Sequence, residues 1–295
     1  MVFDWHILMR TLEFNSGYNW QKFLYGLRVE ETKMRKKEYY FLLVCLVLFI
    51  LCLPILAQAQ GPKKEFIVAQ FTFEPGQELK DLTGNFPDLT LVGATVEKGQ
   101  LKTASGKWAV SSPMKKGPDI SEKTMVSWCY IDDLNVLAGS VLTIDQIGAD
   151  QFDAMVFGER QPQKWMAGSS NFTRTQDAAP GFQETKTGIL IYLAYSYQKD
   201  GATNHVRLYH DGELFGDYSL GTVPTWKPGD AEIFFGIRHG NAGGGGPGNL
   251  ACRIEEARIY NTVLSQADIK ELQKGAFAVG PSGKLATLWG DVKVK

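Results

Sequence analysis

Residues 205–221 read HVRLYHDGELFGDYSLG, and this stretch decides the fold. Val206, Leu208 and, after the turn, Leu214 supply apolar residues in alternation, with Asp211-Gly212 between the two runs. A strand sends successive side chains to opposite faces, so such a hairpin can bury one face and wet the other. Asp-Gly suits a two-residue turn because both positions of the type I′ form need φ > 0. The expectation is a β-hairpin that turns at Asp211-Gly212.

Working outward, the same signals recur. Strands are expected over 65–73, in short pieces within 89–101, and over 108–111, 124–131, 141–147, 152–157, 165–168, 188–197, 232–238 and 253–260. The segment TMVSWCYI, 124–131, is the central-strand candidate, rich in β-branched and aromatic residues around Trp128. Pro75-Gly76, Thr83-Gly84-Asn85 and Pro180-Gly181 mark turns, and NAGGGGPGN at 241–249 reads as a flexible loop. After residue 260 the period changes. Ser265 and Asp268 have the spacing of a helix capping box, Leu264 and Ile269 stand at the staple positions, and Gly275 stops the helix. Lys270 and Lys274 suit its C-terminal end. Many short strands, one short helix and no internal repeat imply an all-β sandwich or barrel, with one domain over 65–275.

The chain has 295 residues with a net charge of -1, so no electrostatic pull toward nucleic acid is expected. Near the N-terminus, Arg35, Lys36 and Lys37 precede the apolar run FLLVCLVLFILCLPILA at 41–57, followed by Ala57-Gln58-Ala59. A basic start, an apolar run and a small-x-small site make a secretory signal over 34–59, cleaved near Ala59. Residues 1–33 would then be an upstream extension, unstructured or not translated. If the run is not cleaved, it becomes a single-pass signal anchor, although it is short against the roughly 20 residues of a membrane span. Residues 276–295 form a tail with no clear pattern. Cys45 and Cys52 lie in the apolar run. Cys129 and Cys252 remain, as one disulfide of an exported protein or as two buried thiols. Asn171-Phe172-Thr173 is a glycosylation sequon, meaningful only in a eukaryotic secretory route.

Three segments, in order, resemble the laminin-G-like, concanavalin A-like jelly-roll family. The first is Phe71-Thr72-Phe73-Glu74 with Asp81-Leu82-Thr83-Gly84-Asn85. The second is Val126-Ser127-Trp128, followed later by Val206-Arg207-Leu208-Tyr209 and Asp211-Gly212. The third is RIEEARIYN at 253–261 with Leu264-Ser265, which looks like the family's closing strand and helix, with Glu255 and Ala257 where many members carry Asp and Val. The resemblance covers about 65–275 and implies an antiparallel two-sheet jelly-roll sandwich with one short C-terminal helix. It also implies extracellular binding or adhesion, often of glycans and sometimes with calcium. The stretch from Phe157 to Arg174 looks like part of large exported bacterial proteins of this type.

The ligand candidates form two clusters. One is Glu159, Arg160, Trp165 and Arg174, where Arg could bind carboxylates or hydroxyls and Trp could stack on a sugar face. The alternative reading puts Trp165 in the core, with the Arg residues as surface charges. The other cluster is Arg238-His239 beside the glycine-rich loop, either a binding edge or a plain connection. No cofactor is required. Calcium is conceivable at Asp132, Asp133, Asp145, Asp150, Asp153 or Asp217, but these show no calcium-loop spacing and can equally be solvated strand ends. The four His residues lack zinc-ligand spacing.

A glycoside hydrolase of the same fold needs two carboxylates on one cleft, about 5 to 9 Å apart. No Glu-x-Asp-x-Glu pattern occurs, and adjacent Glu255-Glu256 would face opposite ways on a regular strand. The reading is therefore an exported or surface-anchored binding module for carbohydrate or glycoprotein, not an enzyme. A structural protein-contact domain of the cell envelope is the first alternative, and a glycoside hydrolase of the same fold, lacking a paired-carboxylate motif, is the second. The partner is a glycan or an envelope protein, and a membrane is involved only through an uncleaved 41–57 segment.

Overall fold

Among the described residues, fourteen strands and one α-helix follow one another: β1 (Ile67–Phe71), β2 (Thr90–Val92), β3 (Thr95–Glu97), β4 (Gln100–Thr103), β5 (Trp108–Ser111), β6 (Lys123–Ile131), β7 (Ser140–Gln146), β8 (Phe152–Phe157), β9 (Trp165–Ser169), β10 (Leu190–Asp200), β11 (Thr203–His210), β12 (Glu213–Ser219), β13 (Ala231–Phe235), β14 (Cys252–Tyr260) and α1 (Gln266–Gly275). The computed structural model describes residues 63–149, 151–240 and 246–275. The expected extension at 1–33, the signal or anchor at 34–59, the tail at 276–295, Asp150 and residues 241–245 lie outside the described residues. Among the described residues, no helix is long and apolar enough to cross a membrane.

The strands form two antiparallel sheets. One runs β12-β11-β10-β6-β14-β4-β3, with β1 also paired to β14, and the other runs β2-β5-β13-β7-β8-β9. The main core lies between them and takes the inward rows, among them Met125, Cys129, Tyr195, Val206, Ile233 and Ile254. The expected jelly-roll sandwich is present, and the central-strand candidate is β6, between β10 and β14.

The hairpin at 205–221 turns where expected. Asp211 and Gly212 have φ of 50° and 80°, both positive as the type I′ turn requires. Its apolar face differs in one detail. The register shifts between Leu208 and Tyr209, so Leu214 pairs with Tyr209 and is 41% exposed, while Phe215 and Tyr218 fill the core. A bulge moves the side chains that follow to the other face.

The capping box is realised. Ser265 Oγ donates to Asp268 Oδ2 at 2.6 Å, and the Asp268 N–H returns a bond to Ser265 Oγ at 3.2 Å. Leu264, Ile269 and Leu272 seat the helix on Val126, Trp128, Tyr192, Tyr209 and Tyr260, on the outer face of the larger sheet. The Asp81-x-Thr83-Gly84-Asn85 turn is held by the Asp81 carboxylate, which accepts from the N–H groups of Gln70, Thr83, Asn85 and Phe86 and from the Thr83 hydroxyl.

Cys129 and Cys252 are free, buried thiols, the second of the two alternatives. Cys129 pairs with Ile254, and Cys252 pairs with Ile131, so the two cysteines are diagonal neighbours on β6 and β14 and not an opposed pair. Cys252 Sγ lies 3.2 Å from the Thr103 hydroxyl.

Candidate ligand-binding site

The site begins with a buried ion network. Lys123 points inward from β6, and its Nζ lies 2.6 Å from Asp153 Oδ2 on β8, with both side chains fully buried. Tyr197 and Trp226 present their rings to Lys123, each centroid 4.1 Å from Nζ. Burial pulls the Lys123 ammonium down to about 8, against the opposing charge of Asp153. Burial works against the Asp153 carboxylate too, but Lys123 and Arg174 outweigh it and hold it low. Arg174 completes the network through Nε to Asp153 Oδ1 at 2.9 Å, and it also donates to the Phe152 carbonyl at 2.8 Å.

Arg174 therefore anchors the β9–β10 connection at its root. Its carbonyl accepts the Tyr218 hydroxyl at 3.1 Å, and its N–H donates to Ser169 Oγ at 2.9 Å. The tip of this connection is unusual. Asn171 and Phe172 both adopt left-handed backbone, with φ of 50° and 56°, and Phe172 is 40% exposed. Positive φ at a bulky residue is strained and persists only where surrounding contacts over-determine it. Arg160, from the β8–β9 turn, lies over the Phe172 ring, 5.3 Å from its centroid. Its Nε donates to Asp177 Oδ1 at 2.7 Å, a hydrogen bond that raises the Arg160 pKa further. Both charged side chains are about 40% exposed. The Phe172 ring, with Arg160 over it, and the Arg160–Asp177 pair are thus partly exposed to solvent at the tip.

The expected clusters are redistributed. Arg160 belongs to the tip, and Arg174 stands behind it in the ion network. Trp165 is no stacking platform, because it is 1% exposed. It points into the core from β9, packs on Phe157, and donates from Nε1 to Glu184 at 2.8 Å. Glu159 instead pairs with Arg238 from the second cluster. His239 is buried and stacks on Phe152 at 4.8 Å. Arg238, His239 and Gly240 form a strap across the outer face of the smaller sheet, and the Gly240 N–H donates to Asp145 Oδ2 at 2.9 Å. A Cβ at Gly240 would lie 2.5 Å from the Phe234 ring, so this close approach needs glycine.

The strap also bears on hydrolysis. Asp145 and Glu232 are direct cross-strand partners, two carboxylates on one face that no single-strand pattern could show. Asp145 is fully buried under the Gly240 N–H, and burial raises the Glu232 pKa. The calcium candidates are dispersed. Asp132 pairs with Arg253, Asp153 with Lys123, and Asp217 with His205, while Asp133 accepts the Asn135 N–H. Among the described residues, no three His, Cys, Asp or Glu side chains gather to hold a metal.

Sequence reasoning missed Phe172 and Asp177. A lone Phe between Asn171 and Thr173 in a polar loop was the available signal for the first. Asp177 carried none, because only the loop path brings it to Arg160.

No curated protein matches the chain. The binding domain of Paraclostridial Mosquitocidal Protein 1 is similar, with TM-score 0.51 and 14% identity, over 75% of this chain and 53% of that one. The botulinum neurotoxin serotype D binding domain has TM-score 0.50 and 14% identity, over 72% and 52%. The chain thus spans about half the length of each of these two, and the likeness concerns the fold alone. Domain 4 of AbnA, a GH43 extracellular arabinanase from Geobacillus stearothermophilus solved with arabinotriose, has TM-score 0.49 and 18% identity, over 70% of this chain and 98% of that one. Residues 105–270 match the family described as the concanavalin A-like lectin/glucanases superfamily, which is more than half of the chain. The chain belongs to the concanavalin A-like lectin/glucanases superfamily.

Proposed function

We propose that this chain is a carbohydrate-binding module, exported or held at the cell surface, and that the 160–177 tip contacts the glycan. The observation that carries the reading is the partly exposed Phe172 ring stacked with Arg160, whose partner Asp177 is exposed as well. An aromatic face packs on the C–H face of a sugar ring, while Arg and Asp meet its hydroxyls as donor and acceptor. Membership of a lectin and glucanase family supports carbohydrate as the ligand class. Binding is favoured over hydrolysis because the facing carboxylates, Asp145 and Glu232, lie beneath the strap. The apolar run at 41–57 supports export.

The test is a thermal-shift screen of the full chain against a glycan panel, with and without calcium. A ligand at 100 times its dissociation constant adds about 2.7 kcal/mol. Phe172→Ala and Arg160→Ala should abolish the shift while the unliganded melting temperature stays near that of the parent. A glycan shift that survives both changes would remove the tip from the site. No shift with any glycan would favour a protein-contact role.

A further inference from the structure

The outer face of the larger sheet carries a second cluster, apart from the tip. Gln198 on β10 and Ser219 on β12 both pair with His205 on β11. In the next row, Arg207 pairs with Ser196 and with Asp217. Residues paired directly across antiparallel strands share a face. Gln198, Ser196, His205, Arg207, Asp217 and Ser219 therefore stand on one side of three adjacent strands.

Their hydrogen bonds order the array. Arg207 donates to Gln198 Oε1 at 2.9 Å and to His205 Nδ1 at 3.1 Å. Arginine has donors only, so Nδ1 accepts and His205 presents Nε2–H to Asp217 Oδ1 at 2.5 Å. Asp217 Oδ2 lies 3.9 Å from Arg207 Nε. These contacts orient the groups without saturating them. The guanidinium has five N–H donors, and the bonds to Gln198 and His205 use two. The side chains of His205, Arg207 and Asp217 are 21%, 27% and 44% exposed. Ser196, on the Arg207 row, is fully buried, and its hydroxyl has no hydrogen-bond partner among the described residues. One cation and one carboxylate balance, so the array favours neither an anion nor a metal ion. It offers alternating donors and acceptors at the strand spacing of about 4.8 Å.

We infer that this array is a second binding site, for a neutral polyhydroxylated ligand such as an uncharged oligosaccharide. Each sugar hydroxyl both donates and accepts, and so can bridge Asp217 on β12 to Arg207 on the adjacent β11, while a neighbouring hydroxyl of the same ligand reaches Gln198 on β10. The site shares no residue with the 160–177 tip and does not depend on it.

The experiment is a calorimetric titration of the full chain with neutral di- and trisaccharides of glucose, galactose, mannose and arabinose, beside a sulfated disaccharide. Arg207→Ala and Asp217→Asn should each weaken binding of at least one neutral saccharide about tenfold or more, the loss expected for a hydrogen bond to a charged group. Phe172→Ala should leave that affinity within about twofold. Unchanged affinity in both sheet variants would overturn the inference, and so would preference for the sulfated sugar or failure of the parent chain to bind any neutral saccharide. Loss in Phe172→Ala alone would uphold the tip and sink this site. Loss in the sheet variants alone would do the reverse.

Discussion

Lys123 and Asp153 meet across the two sheets, Nζ to Oδ2 at 2.6 Å, with neither side chain exposed. Asp153 is the shared anion of two buried cations, since Arg174 binds its other oxygen. Removing it strands both. Asp153→Ala should cost about 3–5 kcal/mol, the usual result of leaving buried charge uncompensated. Lys123→Met should cost clearly less, because Asp153 keeps Arg174. Urea unfolding of the two variants measures both. Equal losses would mean that Arg174 does not compensate.

His210 makes stability depend on pH. Burial disfavours its charged form, but hydrogen bonds to Asp211 and Glu184 prevail and raise it to about 9. A folded-state value above the unfolded one stabilises the protein most at low pH. The contribution is complete below about 6.5 and is lost as the pH rises through about 9, with a size of roughly 3 kcal/mol. The unfolding free energies of the parent and His210→Gln, compared across that window, should converge toward high pH. A constant gap would refute the assignment.

Trp128 is 2% exposed and stacks on Tyr192 at 4.7 Å, on the face that α1 covers. Trp128→Ala should cost about 3–5 kcal/mol in chemical denaturation. A loss well under about 1 kcal/mol would put the ring at the surface.

Burial pushes the Cys129 thiol up, and the Cys252 thiol up to about 12. Thiolate is the reactive form, so both should resist alkylation in the native chain and label only on unfolding. Peptide mapping after native and denatured alkylation reads each cysteine separately. A Cys129–Cys252 disulfide peptide from the unreduced chain would contradict the free thiols.

Much of the fold was legible because its signals are local. Alternation located the hairpin strands, β-branched and aromatic content located β6, Asp211-Gly212 located the hairpin turn, and Ser265 with Asp268 located the helix start. Each depends on residues only a few positions apart, whose geometry the backbone itself limits. Asp81 is intermediate. Its turn motif was visible, while its bond to the Gln70 N–H required β1 to lie alongside.

By itself the sequence determined the all-β class, the order of the strands, the single helix and the family resemblance, since periodicity and turn chemistry are written along the chain. Only the tertiary structure decided which side chains meet. It buried Trp165, moved Glu159 to Arg238 and brought Asp177 to Arg160. It also set Asp145 opposite Glu232 and gathered Gln198, His205, Arg207 and Asp217 on one face. The reason is physical. Partners on different strands and loops are chosen by register, bulges and loop paths, and these follow from the packing of the two sheets as a whole.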